Sequence, residues 1–229
     1  LKKLLLIFCA ISSLFIYGCS NNDINKNSNQ SINTEIKSSV AKNSNENIET
    51  INISASMVKT YNNINELASD SVLIIEGSIL ANNYINFKDT VFTISTVKVT
   101  NVLKDYDNIK VGDTINLLQT GGIETIKQNA NLSKSFDNPT EVKKNIGKKV
   151  EVVLENSPVL KEGQPNILFL TKYDGPITKD AYIGTGDFQG RFLKNGDRIQ
   201  PQSAALKSKY NNKNIQEFTN GIKSINSNK

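Results

Sequence analysis

The chain has 229 residues, 27 basic and 22 acidic side chains, a net charge of +5, and no histidine or tryptophan. Without histidine there is no Ser-His-Asp or Cys-His nucleophile and no imidazole metal site, and no cofactor or metal is expected. The surplus charge lies at the ends, since residues 56–202 hold 17 basic and 17 acidic side chains; this neutral middle lacks the basic stripe of a nucleic-acid reader, and no nucleic-acid partner is expected.

Lys2 and Lys3 open the chain, and residues 4–17 form an apolar run. A spanning helix needs about 20 apolar residues, so this run reads as an export signal. Leu1 in the place of Met fits a non-ATG start codon. The run ends in Ile16-Tyr17-Gly18-Cys19, which resembles the lipobox of bacterial lipoproteins: an aliphatic residue, a tolerated one, a small one, then cysteine. That resemblance implies removal of residues 1–18 and a diacylglyceryl group on the sulfur of Cys19. It also implies a protein anchored on the extracytoplasmic face of the cell membrane. Two acyl chains, at about 0.8 kcal/mol per buried methylene, anchor stably where one is marginal. The competing reading is an ordinary secretory signal with Cys19 incidental. The other cysteine, Cys9, sits in the apolar run and is discarded with it, so no disulfide is expected within one mature chain.

Residues 20–55 hold ten Asn and seven Ser, with no aromatic, Gly or Pro. Their aliphatics are too scattered to promise a core, so residues 19–55 read as a disordered tether. Such a chain reaches about 5–6 Å times the square root of its length.

From residue 56 onward the pattern is that of a folded domain running to 229. Asn63-Ile64-Asn65-Glu66 resembles a capping box, with Asn63 capping a short helix that ends near Ser69. Residues 72–80 predict a strand with a bulge at Glu76-Gly77. Residues 91–103 predict the clearest strand, with Val91, Thr93, Ser95, Val97 and Val99 on one face. Residues 114–119 predict another, terminated by Gly121-Gly122. The polar stretch 123–147 reads as an inserted loop. Further strands are expected at 150–154, 166–171 and 181–185. Asn195-Gly196 predicts a two-residue type I′ hairpin with Lys194 opposite Asp197 and Phe192 opposite Ile199. A final helix is capped by Asn214, has Glu217 in the capping-box position, and places Ile215, Phe218 and Ile222 on one face. The lysines of residues 203–229 read as a solvated helix face, with anionic lipid or wall polymer as the alternative.

This element order predicts a mainly β domain: a small antiparallel OB-like barrel with a short N-terminal helix and a C-terminal helix, or else a β-sandwich. A strand like residues 71–77 leads into one like 91–103. Lys104, the Gly112-Asp113 turn and the strand Ile167-Leu168-Phe169-Leu170 follow. The span 69–173 thereby resembles OB-like domains of secreted Gram-positive lipoproteins, similar in fold to the netrin-like domains of metalloproteinase inhibitors. The resemblance implies a fold and brings no catalytic residue.

Three chemistries survive the missing histidine: a carboxylate pair, a Ser-Lys dyad and an oxygen-only calcium site. Asp105-Tyr106-Asp107-Asn108 comes nearest to a calcium loop and reads better as a solvated turn. Residues 184–190, Gly-Thr-Gly-Asp-Phe-Gln-Gly, imitate a phosphate loop but precede a hairpin instead of a helix, so they read as glycines at a bend. Arg191 and Arg198 are the two arginines of the chain and both fall on the final hairpin, where they form a candidate anion contact. Tyr182, Phe188 and Phe192 beside them read as core. The leading expectation is a non-enzymatic, membrane-anchored module that binds an envelope protein, a peptide or a wall polymer. A proteinase-inhibitor-like domain and a carboxylate or Ser-Lys hydrolase are the alternatives.

Overall fold

The computed structural model describes residues 48–127 and 146–227. Residues 1–47, which include the expected signal and Cys19, and residues 128–145 of the expected inserted loop lie outside the described residues. The fold is mainly β, and the described residues form one sheet of nine strands with three α-helices.

The sheet grows from a meander. Strand β2 (Leu73–Phe87) pairs with β3 (Thr90–Asp105), which pairs with β4 (Thr114–Thr125), all antiparallel. The expected alternation holds in β3, where Val91, Thr93, Ser95, Val97 and Val99 are all buried. The expected irregularity at Glu76-Gly77 is a register shift in the β2–β3 ladder. A Cβ on Gly77 would lie 2.8 Å from the Lys98 carbonyl oxygen, so only glycine lets the two backbones come this close.

Beyond the meander, β6 (Pro165–Tyr173) lies antiparallel to residues 73–78 of β2, and β7 (Ala181–Gly184) joins β6 antiparallel and β4 in parallel. The path β4–β3–β2–β6–β7–β4 therefore returns to its start as a ring of five strands. Alternate residues of these strands fill its inside: Leu73, Ile75 and Ile79 from β2, Val97 and Val99 from β3, Ile115 and Leu117 from β4, Leu168 and Leu170 from β6, and Tyr182 from β7.

The other face of β2 and β6 is covered as well. The hairpin β8 (Arg191–Asn195) and β9 (Arg198–Pro201) extends the sheet past β6. Helices α1 (Ile64–Asp70), α2 (Ala204–Tyr210) and α3 (Ile215–Ser227) pack there. Ile74, Ile167, Phe169 and Phe192 meet Leu67, Leu206, Phe218 and Ile222, with the rings of Phe192 and Phe218 5.1 Å apart. Because β6 is covered on both sides, five consecutive residues of it are buried. The caps of two helices form as expected. Asn63 Oδ1 accepts from the Glu66 amide, and Asn214 Oδ1 accepts from the amides of Gln216 and Glu217. Lys104 is buried and donates to the carbonyls of Ala68 and Ser71, where its charge offsets the negative end of α1.

Three expectations need correction. The tether does not extend to residue 55: β1 (Glu49–Ile53) is a strand, parallel to β5 (Lys149–Leu154), and Ile51 is buried against Val91, Ile126, Val150 and Val152. Gly121 and Gly122 do not terminate β4. At φ +104° and +139° they turn it, so that residues 114–120 pair with β3 and residues 121–125 pair with β5. In the β8–β9 hairpin Asn195 faces Arg198 and Lys194 faces Ile199, so the turn lies one residue further on and each pairing partner two residues away from the expected register. Gly196 alone takes a positive φ, +58°, so glycine occupies the first of the two central places, while an Asn-Gly type I′ turn needs positive φ at both.

Candidate functional site

The two arginines lie at opposite ends of the hairpin. Arg191 is 1 % exposed and points into the protein, where its guanidinium donates to Gln119 Oε1 at 2.7 Å and meets Asp187 Oδ1 at 3.3 Å. Arg198 lies on the surface beside Asp197 and the Asn212 carbonyl. The structure therefore does not bring them together, and no shared anion contact exists. Burial pushes the Arg191 pKa down and the Asp187 charge opposes it; a guanidinium stays charged either way.

Arg191 instead ends a polar chain that crosses one end of the ring. Gln119 accepts from Arg191 and from the Leu160 amide, and donates to Ser95 Oγ at 2.7 Å. Ser95 donates in turn to Asn82 Oδ1 at 2.6 Å, and the Asn82 side-chain amide donates to the Leu160 carbonyl. Ser95 and Gln119 have the same strand parity as the apolar lining, so the polar chain replaces one layer of core. Every link is filled, which holds Asn82 in one orientation.

Asn82 opens onto a groove of about 530 Å³. One wall is the outer half of β2, carrying Asn82 and Tyr84, and the other is β5 with Glu151, next to Ile48 at the start of β1. Its floor is the bend of β4, followed by Ile123, and Val159, Lys161 and Glu162 close one end. The ring of Tyr84 lies on Gly122, where a Cβ would come within 2.7 Å of it and 2.5 Å of Thr93 Oγ1. Glycine at the bend thus makes the seat for the aromatic ring. Glu162 Oε1 accepts from the Asn82 amide at 3.1 Å. Burial raises the Tyr84 pKa, and the nearby charges of Glu151 and Glu162 raise it further, against a hydrogen bond from Asn82. Both carboxylates therefore bear on the phenol.

The other candidates take ordinary structural roles. Asp107 accepts from Tyr182 at 2.7 Å and pairs with Lys172, stapling the β3–β4 turn to β6 and β7. Among the described residues, no group of three or more His, Cys, Asp or Glu is placed to hold a metal ion. Residues 184–190 make a bend with a 3-10 turn at Asp187–Gly190, and a Cβ on Gly190 would lie 2.4 Å from the Phe169 carbonyl oxygen. Tyr182, Phe188 and Phe192 are buried, as expected of core. Ser71 and Lys104 lie side by side, but the Ser71 hydroxyl donates to the Leu67 carbonyl and bonds Thr185, while Lys104 bonds the Ser71 carbonyl. An ammonium held between carbonyls is a donor, not a base.

The groove draws on residues from five separate stretches of chain, which is why local motif reading passes over it. The one legible signal was the paired glycine at 121–122. Among the described residues no helix is long and apolar enough to cross a membrane. In comparison with known proteins, the chain matches no family model and no curated sequence.

Proposed function

We propose that this protein is a non-enzymatic binding module, anchored through a lipid on Cys19 to the extracytoplasmic face of the membrane, whose groove takes a segment of an envelope protein, a peptide or a wall glycan. The observation that carries the reading is the groove itself. Tyr84 is seated on Gly122 and Asn82 is held by three hydrogen bonds, so an aromatic face and an amide are fixed before any ligand arrives. The anchor rests on Ile16-Tyr17-Gly18-Cys19 following the basic start and apolar run.

The finer fold reading belongs to the same proposal. A meander whose last strand, β4, runs parallel to β7 and is closed through β6 supports an OB-like barrel; such folds host ligands on one sheet face and its neighbouring loops. Glu151 and Glu162 lining one cavity favour a carboxylate hydrolase as the second reading.

Membrane fractionation and intact mass of the native chain beside Cys19→Ala test the anchor. The native chain is expected in the membrane with added lipid mass and the variant in the soluble fraction; an unmodified, released native chain overturns it. A photo-crosslinking side chain at position 84, compared with one at Val111, which is 64 % exposed on the β3–β4 turn, tests the groove. Crosslinks to envelope material are expected at 84 alone, and equal yields at both positions overturn the groove. Turnover of a wall or peptide substrate that disappears in Glu151→Gln or Glu162→Gln would replace the binding reading by the hydrolase.

A further inference from the structure

We infer that the groove selects an extended basic peptide, receiving a lysine or arginine side chain between the Tyr84 ring, Glu151 and Glu162 while the peptide backbone runs along the outer edge of β2; the inference rests on the groove being the binding site. Two independent features of the groove converge on this ligand.

The first is charge. Among the described residues neither Glu151 nor Glu162 pairs with a cation, and the one hydrogen bond to either comes from the Asn82 backbone amide to Glu162. Lys161 stands on the same rim, which leaves the groove one negative charge in excess. Tyr84, 39 % exposed, lines the same groove, and the charges of both carboxylates reach its phenol. An aromatic face and carboxylates around one space attract a cation from several sides, and the contribution of the ring grows as the site is desolvated.

The second is an open strand edge. Among the described residues β2 pairs on its outer side with β6 only through residues 73–78, and residues 81–87 pair with β3 alone. The Asn82 amide already donates away from β3, to Glu162. This edge runs beside the groove and carries the backbone groups that an added strand would pair with. A free edge recognises a peptide backbone, which a glycan lacks, so charge and edge together favour a basic peptide over an amino sugar.

The test uses the purified full chain in detergent micelles, with the Gly122 amide and Tyr84 ring signals read by NMR. Three probes are titrated: a ten-residue peptide alternating Lys and Thr, the same peptide with Gln for Lys, and a chitosan oligosaccharide. The lysine peptide is expected to move both signals. Its dissociation constant should rise about tenfold in Glu151→Gln/Glu162→Gln and several-fold in Tyr84→Leu, with unchanged spectra elsewhere. Raising the salt should weaken it as well. If the glutamine peptide or the oligosaccharide binds as tightly as the lysine peptide, the cation selection is wrong while the groove stands. If no probe moves either signal at millimolar concentration, the groove reading falls with it.

Discussion

Replacing Asp187 by Asn would leave the Arg191 guanidinium buried without its counter-charge. Arg191 is 1 % exposed and keeps one neutral acceptor, Gln119, while its Nε has no partner among the described atoms. Breaking a fully buried ion pair on one side costs about 3–5 kcal/mol. Here the Asp187 side chain is 14 % exposed and 3.3 Å away, so water already screens part of the attraction, and about 2–3 kcal/mol is the expected loss. At roughly 2–4 °C per kcal/mol for a domain of this size, Tm should fall by about 4–12 °C. Arg191→Met with Asp187→Asn together should recover part of that, because the uncompensated charge is gone. Urea unfolding followed by circular dichroism measures all three. A single Asp187→Asn variant within about 0.5 kcal/mol of the parent, or a double variant less stable than the single, would refute the reasoning.

Gly122→Ala should cost about 2–3 kcal/mol, since its methyl meets Thr93 Oγ1 and the Tyr84 ring at a φ of +139°, and it should shift the Tyr84 ring resonances; urea unfolding and NMR check both. Asn63→Ala removes the α1 cap and should cost about 1 kcal/mol in the same assay. Burial, then the hydrogen bond and charge of Asp70, push the Tyr61 pKa from 10.0 to about 12, so the folded state holds a proton that the unfolded state releases. Stability is then intact below pH 10 and falls as pH rises toward 12, and Tyr61→Phe should reduce that slope in alkaline unfolding curves. At the acid end, hydrogen bonds from Lys59 and Tyr61 hold Asp70 below its usual value. Its contribution is present above the ordinary carboxylate range and lost as pH falls through the depressed value; Asp70→Asn should flatten the acid limb.

How much of this was readable from the residues depends on whether the cause was local. The alternation of residues 91–99 and the Asn63 and Asn214 caps are set by side chains within a few positions, and they match the structure. β1 escaped because Ile51 and Ile53 look isolated in an Asn-rich stretch and become a strand only against Val150 and Val152, a hundred residues on. Gly121-Gly122 signalled a break in the ladder, but only the presence of β5 decides that the chain bends and continues. The hairpin shows the same limit: Asn-Gly marks a turn, but Gly196 takes its first central place and the pairing moves by two residues, a shift that keeps Phe192 and Ile199 on the core face in either register. Arg191 and Arg198 share a strand parity in either register; Arg191 is buried at the base of the hairpin, and Arg198 is exposed beside the turn. The groove, assembled from 48, 82–84, 122–123, 151 and 159–162, has no local signature beyond the paired glycine.

The parallel pairing of β1 with β5 also has a mechanical side. β1 is the outermost strand of the sheet, attached along five residues to β5, and the chain runs from residue 48 toward its N-terminus directly off its end. A pull on that leading chain directed along β1 loads the whole ladder in shear, so its hydrogen bonds resist together; a sideways pull peels them one at a time. Because Ile48 borders the groove, tension strong enough to strip β1 would draw Ile48 away from its rim while leaving the ring of five strands untouched.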